Sequence, residues 1–131
     1  TSDTFRDVLK AVSDKGLKIT TAAAGLSLPL SELTAEFLGP VGTEYDNLNN
    51  YSAVLKLTYG STSFLFQGDA EKESESEILG GEGKAKLKAD VLKVGHHGSA
   101  SSTTPEYLAG VMPGYAVIMV GKGNDYGHPH K

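Results

Sequence analysis

The chain has no cysteine and no tryptophan, and no histidine occurs before position 96. Without cysteine, neither a disulfide framework nor a thiolate zinc site can form, so any metal must be held by nitrogen and oxygen. No apolar run approaches the roughly 20 residues needed to cross a bilayer, and the opening TSDTFRDVLK lacks the apolar stretch of a signal peptide. No membrane contact is therefore expected of this segment itself. An excess of positive charge is also missing: 12 Lys and Arg stand against 16 Asp and Glu, and a net charge of -4 gives no long-range attraction to nucleic acid.

The charge that is present is unevenly placed. Residues 1–83 carry 6 basic and 13 acidic side chains, whereas 84–131 carry 6 basic and 3 acidic ones together with all four histidines. The second part could draw an anionic substrate, or it could be ordinary surface charge. With 131 residues and 39% hydrophobic content, one modest core is expected, and the whole of 1–131 is read as one domain.

Phe5, Val8, Leu9 and Val12 recur at i, i+3, i+4 and i+7, which predicts an amphipathic helix that Asp3 or Thr4 could cap and Gly16 could end. Leu17–Thr21 reads as a short strand, Ala22–Pro29 as a small-residue turn and Glu36–Leu38 as another strand. After a polar loop, Tyr51–Tyr59 and Thr62–Gln67 form a strand pair turning at Gly60-Ser61. A glutamate-rich exposed helix is expected over Ala70–Leu79, anchored by Ile78 and Leu79, and a strand over Ala89–Val94. Thr103 and Glu106 have capping-box spacing around Pro105, so a helix should run to about Val111. Tyr115–Val120 is a last strand, and Gly121–Lys131 a loop. The alternation of strands and helices predicts a layered α/β architecture with a mixed sheet. The chain opens in a helix and stops in a loop with no closing element, which suggests part of a larger domain.

Three polar clusters follow three strands: Gly68-Asp69, Gly95-His96-His97-Gly98-Ser99, and Gly121–His130. Ends of neighbouring strands share one rim of a sheet, so the clusters should converge. Carboxylate and imidazole together suit zinc or another first-row divalent ion, which could bring the pKa of water to about 7 and so enable hydrolysis. Each residue also has a plainer reading. Asp69 suits an N-cap for the helix behind it, His96-His97 suit one buried and one exposed histidine, and His128 and His130 suit a solvated loop. The glycines at 95, 98, 121, 123 and 127 favour the functional reading, because they let backbone approach a ligand closely.

The runs Asn49-Asn50-Tyr51-Ser52 to Tyr59-Gly60, Phe64–Glu71 with Gly68-Asp69 inside it, Ala89–Ser99 with its His96-His97-Gly98-Ser99, and Tyr115–Ile118 to Tyr126-Gly127-His128-Pro129 resemble the metallo-β-lactamase domain of ComEC-type competence proteins and their stand-alone relatives. The resemblance runs from about residue 5 to the end, and its four motifs stand in order. It implies an αββα sandwich with a two-metal site, using zinc or manganese. It also implies that Asp69 bridges both metals and that the His96-His97 pair supplies the late ligand, His97 being favoured. His128, with Ser99 and Asn124, is placed at the rim towards substrate.

This sequence departs from that pattern in two respects. The leading His-x-His-x-Asp-His-like run is absent, and so is the intermediate histidine before Asp69, where Thr20–Gly25 offer only Thr, Ala and Gly. A fragment lacking the N-terminal half of the domain, or a site completed in trans, is the expectation. The function implied is metal-dependent phosphodiester hydrolysis of DNA linked to uptake, in an extracytoplasmic or membrane-attached protein, with this fragment inactive alone. A stand-alone hydrolase of a small ester or phosphoester and a non-catalytic binding domain are the alternatives. Half a sandwich would leave apolar faces uncovered, so association with the missing segment or with a second copy is expected.

Overall fold

A computed structural model describes residues 2–130. Six strands form one mixed sheet in sequential order: β1 (Ser27–Leu28), β2 (Thr34–Gly39), β3 (Val54–Tyr59), β4 (Thr62–Phe66), β5 (Val91–Lys93) and β6 (Tyr115–Val117). β1 to β4 make an antiparallel meander, whereas β4, β5 and β6 run parallel. The helices are α1 (Asp3–Asp14), α2 (Lys72–Gly80), α3 (Gly83–Lys86) and α4 (Pro105–Val111). Parallel neighbours need a crossover, and α2 with α3 and then α4 supply the two that the parallel half requires.

Alternation along the strands fixes the two faces. Leu65 and Leu92 point towards the helices and join Val54, Ile78, Leu87, Tyr107 and Val111 in one buried core. The residues of opposite parity, Phe37, Leu55, Phe66, Lys93 and Val117 in one row and Leu57, Phe64, Val91 and Tyr115 in the next, lie on the other face, with Lys93 the one charged side chain in these rows. That face is apolar and uncovered, with Phe64, Phe66, Tyr115 and Val117 all exposed. α1 likewise buries none of its residues, and Phe5, Val8 and Leu9 face solvent.

Several expectations are corrected. α1 is capped by Ser2, whose hydroxyl accepts from the Phe5 N–H at 3.2 Å, and neither Asp3 nor Thr4 does this. Leu17–Thr21 is not a strand; the outermost strand is Ser27–Leu28, inside the stretch read as a turn, because residues 27 and 28 are the ones set opposite Glu36 and Ala35. Tyr51 belongs to a 3-10 turn, Leu48–Tyr51, and β3 starts only at Val54. Thr104 caps α4 by accepting from the Tyr107 N–H at 3.3 Å, because Thr103 is at φ 54° and its hydroxyl is engaged elsewhere. β6 stops at Val117: its partner β5 ends at Lys93 and turns away, leaving Ile118–Val120 unpaired. Finally, α2 is not a simply exposed helix, since Ser74 and Glu75 are buried with Ile78.

Candidate functional site

The C-terminal ends of the three parallel strands lie on one rim, and each is followed by one of the polar clusters. The backbone ties the clusters together: the His96 N–H donates to the Gly68 carbonyl at 3.0 Å, and the His130 N–H to the Gly98 carbonyl at 2.9 Å. The start of β3 reaches the same rim, where the Ser52 hydroxyl accepts from the Asp69 N–H at 3.0 Å. Asp69 is not a helix cap, because α2 begins at Lys72 with Glu71 at its cap position.

The turn Gly95–Gly98 sets the two histidines. His96 (φ 41°) and His97 (φ 55°) are both left-handed, a conformation costing a non-glycine residue about 1–3 kcal/mol and kept only where surroundings enforce it. The enforcement comes from below. A Cβ on Gly95 would lie 2.6 Å from the Gln67 amide, so only glycine fits there. The Gly95 N–H donates to the Thr103 hydroxyl at 3.0 Å, and that hydroxyl donates to Gln67 Oε1 at 2.9 Å. The fully buried Glu75 carboxylate in turn accepts from Gln67 Nε2, from the Thr103 N–H and, at 2.9 Å, from the Thr104 N–H.

His97 Nδ1 lies 2.7 Å from the Met119 carbonyl, which can only accept, so Nδ1 carries a proton and any lone pair of the ring is on Nε2. Nε2 faces Asp69 Oδ1 at 3.6 Å, too far for a hydrogen bond. Two lone-pair atoms at that spacing fit one small divalent cation, whose bonds to imidazole nitrogen and carboxylate oxygen are each about 2.0–2.2 Å. Fixing a tautomer through the other ring nitrogen is also how ligating histidines are oriented. Among the described residues, however, no group of three or more His, Cys, Asp or Glu is gathered to hold a metal ion.

His96 is held differently. Its Nδ1 is 3.1 Å from Glu71 Oε1, and neither partner is fully buried. Burial by itself would raise the Glu71 carboxyl; the amides of Asn49 and Asn47, with Ser101 and His96, more than offset this and hold it below the ordinary glutamate value. Asn49 and Asn47 both donate to it at 3.0 Å. His128 stands next to His96, ring centroids 5.5 Å apart, and its Nδ1 is buried without a hydrogen-bond partner among the described residues. Burial, followed by His130, His96 and His97, keeps its pKa below the usual imidazole value. Asp69, His96, His97, Tyr126 and His128 together line a cavity of about 240 Å³.

Of the other residues picked out from the sequence, Asn124 supports the loop, accepting from the N–H groups of Tyr126 and His128 at 3.1 Å each and donating to the His128 carbonyl at 2.7 Å. Ser99 is turned to Ser101, hydroxyl to hydroxyl at 2.9 Å, and borders a separate cavity beside His130.

No family model matches the chain. It is 40% identical over 124 residues to ComE operon protein 3 of Bacillus subtilis (strain 168), a match covering 95% of the chain. It is 37% identical over 94 residues to Competence protein ComA of Neisseria gonorrhoeae, and 35% identical over 114 residues to Recombination protein 2 of Haemophilus influenzae, covering 72% and 85% of the chain. The chain is related to a small part of these competence proteins. It spans 16% of the length of the first and 14% of each of the others.

Reading the sequence missed Glu71, Gln67, Glu75, Thr103 and Tyr126 as contributors to the site. Two of them left a signal. Gln67 continues the inward parity of Leu65 at the end of an apolar strand, and Glu75 stands three residues before the buried Ile78 on one helix face. A polar side chain at a core-facing position needs a polar partner.

Proposed function

We propose that this chain is the later part of a metallo-β-lactamase-type αββα sandwich whose complete form hydrolyses phosphodiesters of DNA in connection with competence. The observation that carries the reading is the His97–Asp69 pair, an imidazole with its Nδ1 proton fixed facing a carboxylate at 3.6 Å across the rim of the parallel half of the sheet. The uncovered apolar face of the sheet supports the second layer of such a sandwich, and relationship to competence proteins supports DNA as the substrate.

Asp69 and His97 would hold a divalent cation, zinc or manganese, and His96 stands beside them. Such a cation supplies charge stabilisation at phosphorus and a water acidified towards neutrality. The chain's own contribution is placement. Glu71 orients His96 through Nδ1, the Met119 carbonyl fixes the proton of His97, and the Glu75 network holds the strained turn that carries both rings. Tyr126 and His128 form a wall of the same cavity.

The test is metal-dependent cleavage of DNA by the full-length protein, with metal content measured on the same samples. Loss of both cleavage and stoichiometric metal on Asp69→Ala is expected. Full cleavage by that variant would overturn the reading. A non-catalytic binding domain is the second reading, favoured by the absence of a three-ligand cluster among the described residues. It predicts no metal in the wild-type protein.

A further inference from the structure

We propose that Tyr126 is a stacking platform for a base of single-stranded DNA, set beside the Asp69–His97 pair; this rests on the phosphodiesterase reading and names how its substrate is gripped. An exposed tyrosine is ordinarily unremarkable. Tyr126, 78% exposed, differs in three respects.

It is held still. Asn124 Oδ1 accepts from the Tyr126 N–H and the His128 N–H, and Asn124 Nδ2 donates to the carbonyls of Gly121 and His128 at 3.0 and 2.7 Å, so one side chain ties down four backbone groups of the loop. It is oriented. Gly127, at φ 71°, turns the chain so that the rings on either side of it lie nearly parallel, 14° apart with centroids at 5.7 Å. One face of the Tyr126 ring is thus backed by His128, and the residue as a whole stays open to solvent. It is also placed: Tyr126 and His128 line the same cavity as Asp69, His96 and His97, and Tyr126 continues along a second cavity with Val120, Gly121 and Asn124.

A flat π surface on a tied-down loop next to a phosphodiester-cleaving centre suits a polymer that offers a base beside every phosphate. Every base has a π face, so such a platform grips a strand without reading its sequence. A duplex, whose bases are already stacked on one another, cannot use it without unstacking. The chain as a whole has no excess of positive charge, and residues 84–131 carry only a small one, 6 basic against 3 acidic side chains, so stacking would add to a modest electrostatic attraction for the backbone.

The experiment is fluorescence anisotropy of a labelled oligothymidylate and of a labelled duplex with the full-length protein in the presence of EDTA, so that binding is read apart from cleavage. Tyr126→Ala should weaken single-strand binding by about ten-fold or more, Tyr126→Phe should bind within two-fold of wild type, and duplex binding should be unchanged in both. Wild-type single-strand affinity retained in Tyr126→Ala, an equal loss on single strand and duplex, or no single-strand binding by the wild type would each overturn the proposal. Circular dichroism of the exposed-site variants checks the fold. If the Tyr126→Ala loss occurs in a protein without metal-dependent cleavage, the hydrolase reading fails and the platform stands. Cleavage with unaltered Tyr126→Ala binding gives the reverse.

Discussion

The strands β4, β5 and β6 and the N-terminal stretch from α1 to β1 are both built from amphipathic pieces, yet they end in different states. In the parallel half, Leu65 and Leu92 meet Ile78, Leu87, Tyr107 and Val111, and the residues following β4 and β5 are tied by hydrogen bonds to Glu75 of α2 and to Thr103 in the loop before α4. In the N-terminal stretch, α1 has a well-formed apolar stripe and a Ser2 cap but nothing buried against it. Amphipathicity therefore reports a face that wants a partner, and only the tertiary structure tells whether that partner is in the chain. The site lies entirely on the half that found one.

The largest expected effect tests that contrast directly. Leu92→Ala in β5 should lower stability by about 3 kcal/mol through lost burial and a residual cavity, whereas Val8→Ser in α1 should stay within about 0.5 kcal/mol, both read from denaturant midpoints. Comparable losses at the two positions would mean that α1 packs on a surface in solution.

A smaller effect is expected at Glu75. Glu75→Ala removes the acceptor shared by Gln67 and the Thr103 and Thr104 amides, leaving buried donors unpaired at a cost of about 2 kcal/mol. Because the same network supports Gly95, the variant should also shift the His96 and His97 imidazole resonances in NMR spectra. A stability loss with those resonances unmoved would separate the network from the site.

The smallest effect concerns pH and belongs to the meander side. Burial first, and then the hydrogen bond to Glu77, push the Tyr45 hydroxyl up from 10.0 to about 12. The protonated form is the one the fold favours, so this contribution is fully present below pH 10 and is lost as pH rises through about 12. Tyr45→Phe should flatten the alkaline fall of stability between those values, measured by denaturation at a series of pH values, and leave the neutral-pH dependence unaltered.

Particular residues mark how far the sequence could be read. The β3–β4 hairpin was legible because its β-formers and the Gly60 turn are local, and convergence of Asp69, the His96-His97 pair and the last loop followed from three strands ending at one rim. Leu17–Thr21 misled, since β-propensity without a partner strand makes no strand. Glu75 misled in the opposite direction: in a run of glutamates it looks solvated, and only the approach of Thr103 and Thr104 from 28 and 29 residues away makes its burial tolerable.

Composition by itself determined that no metal could be held by thiolate, and motif order put the candidate ligands after β4 and β5. Tertiary structure alone decided which histidine turns Nε2 to Asp69 and which is claimed by Glu71, because that choice depends on two left-handed residues held by contacts distant in the chain. Left-handed backbone is unfavourable for any histidine taken alone, so no local preference could have written it into the sequence in readable form.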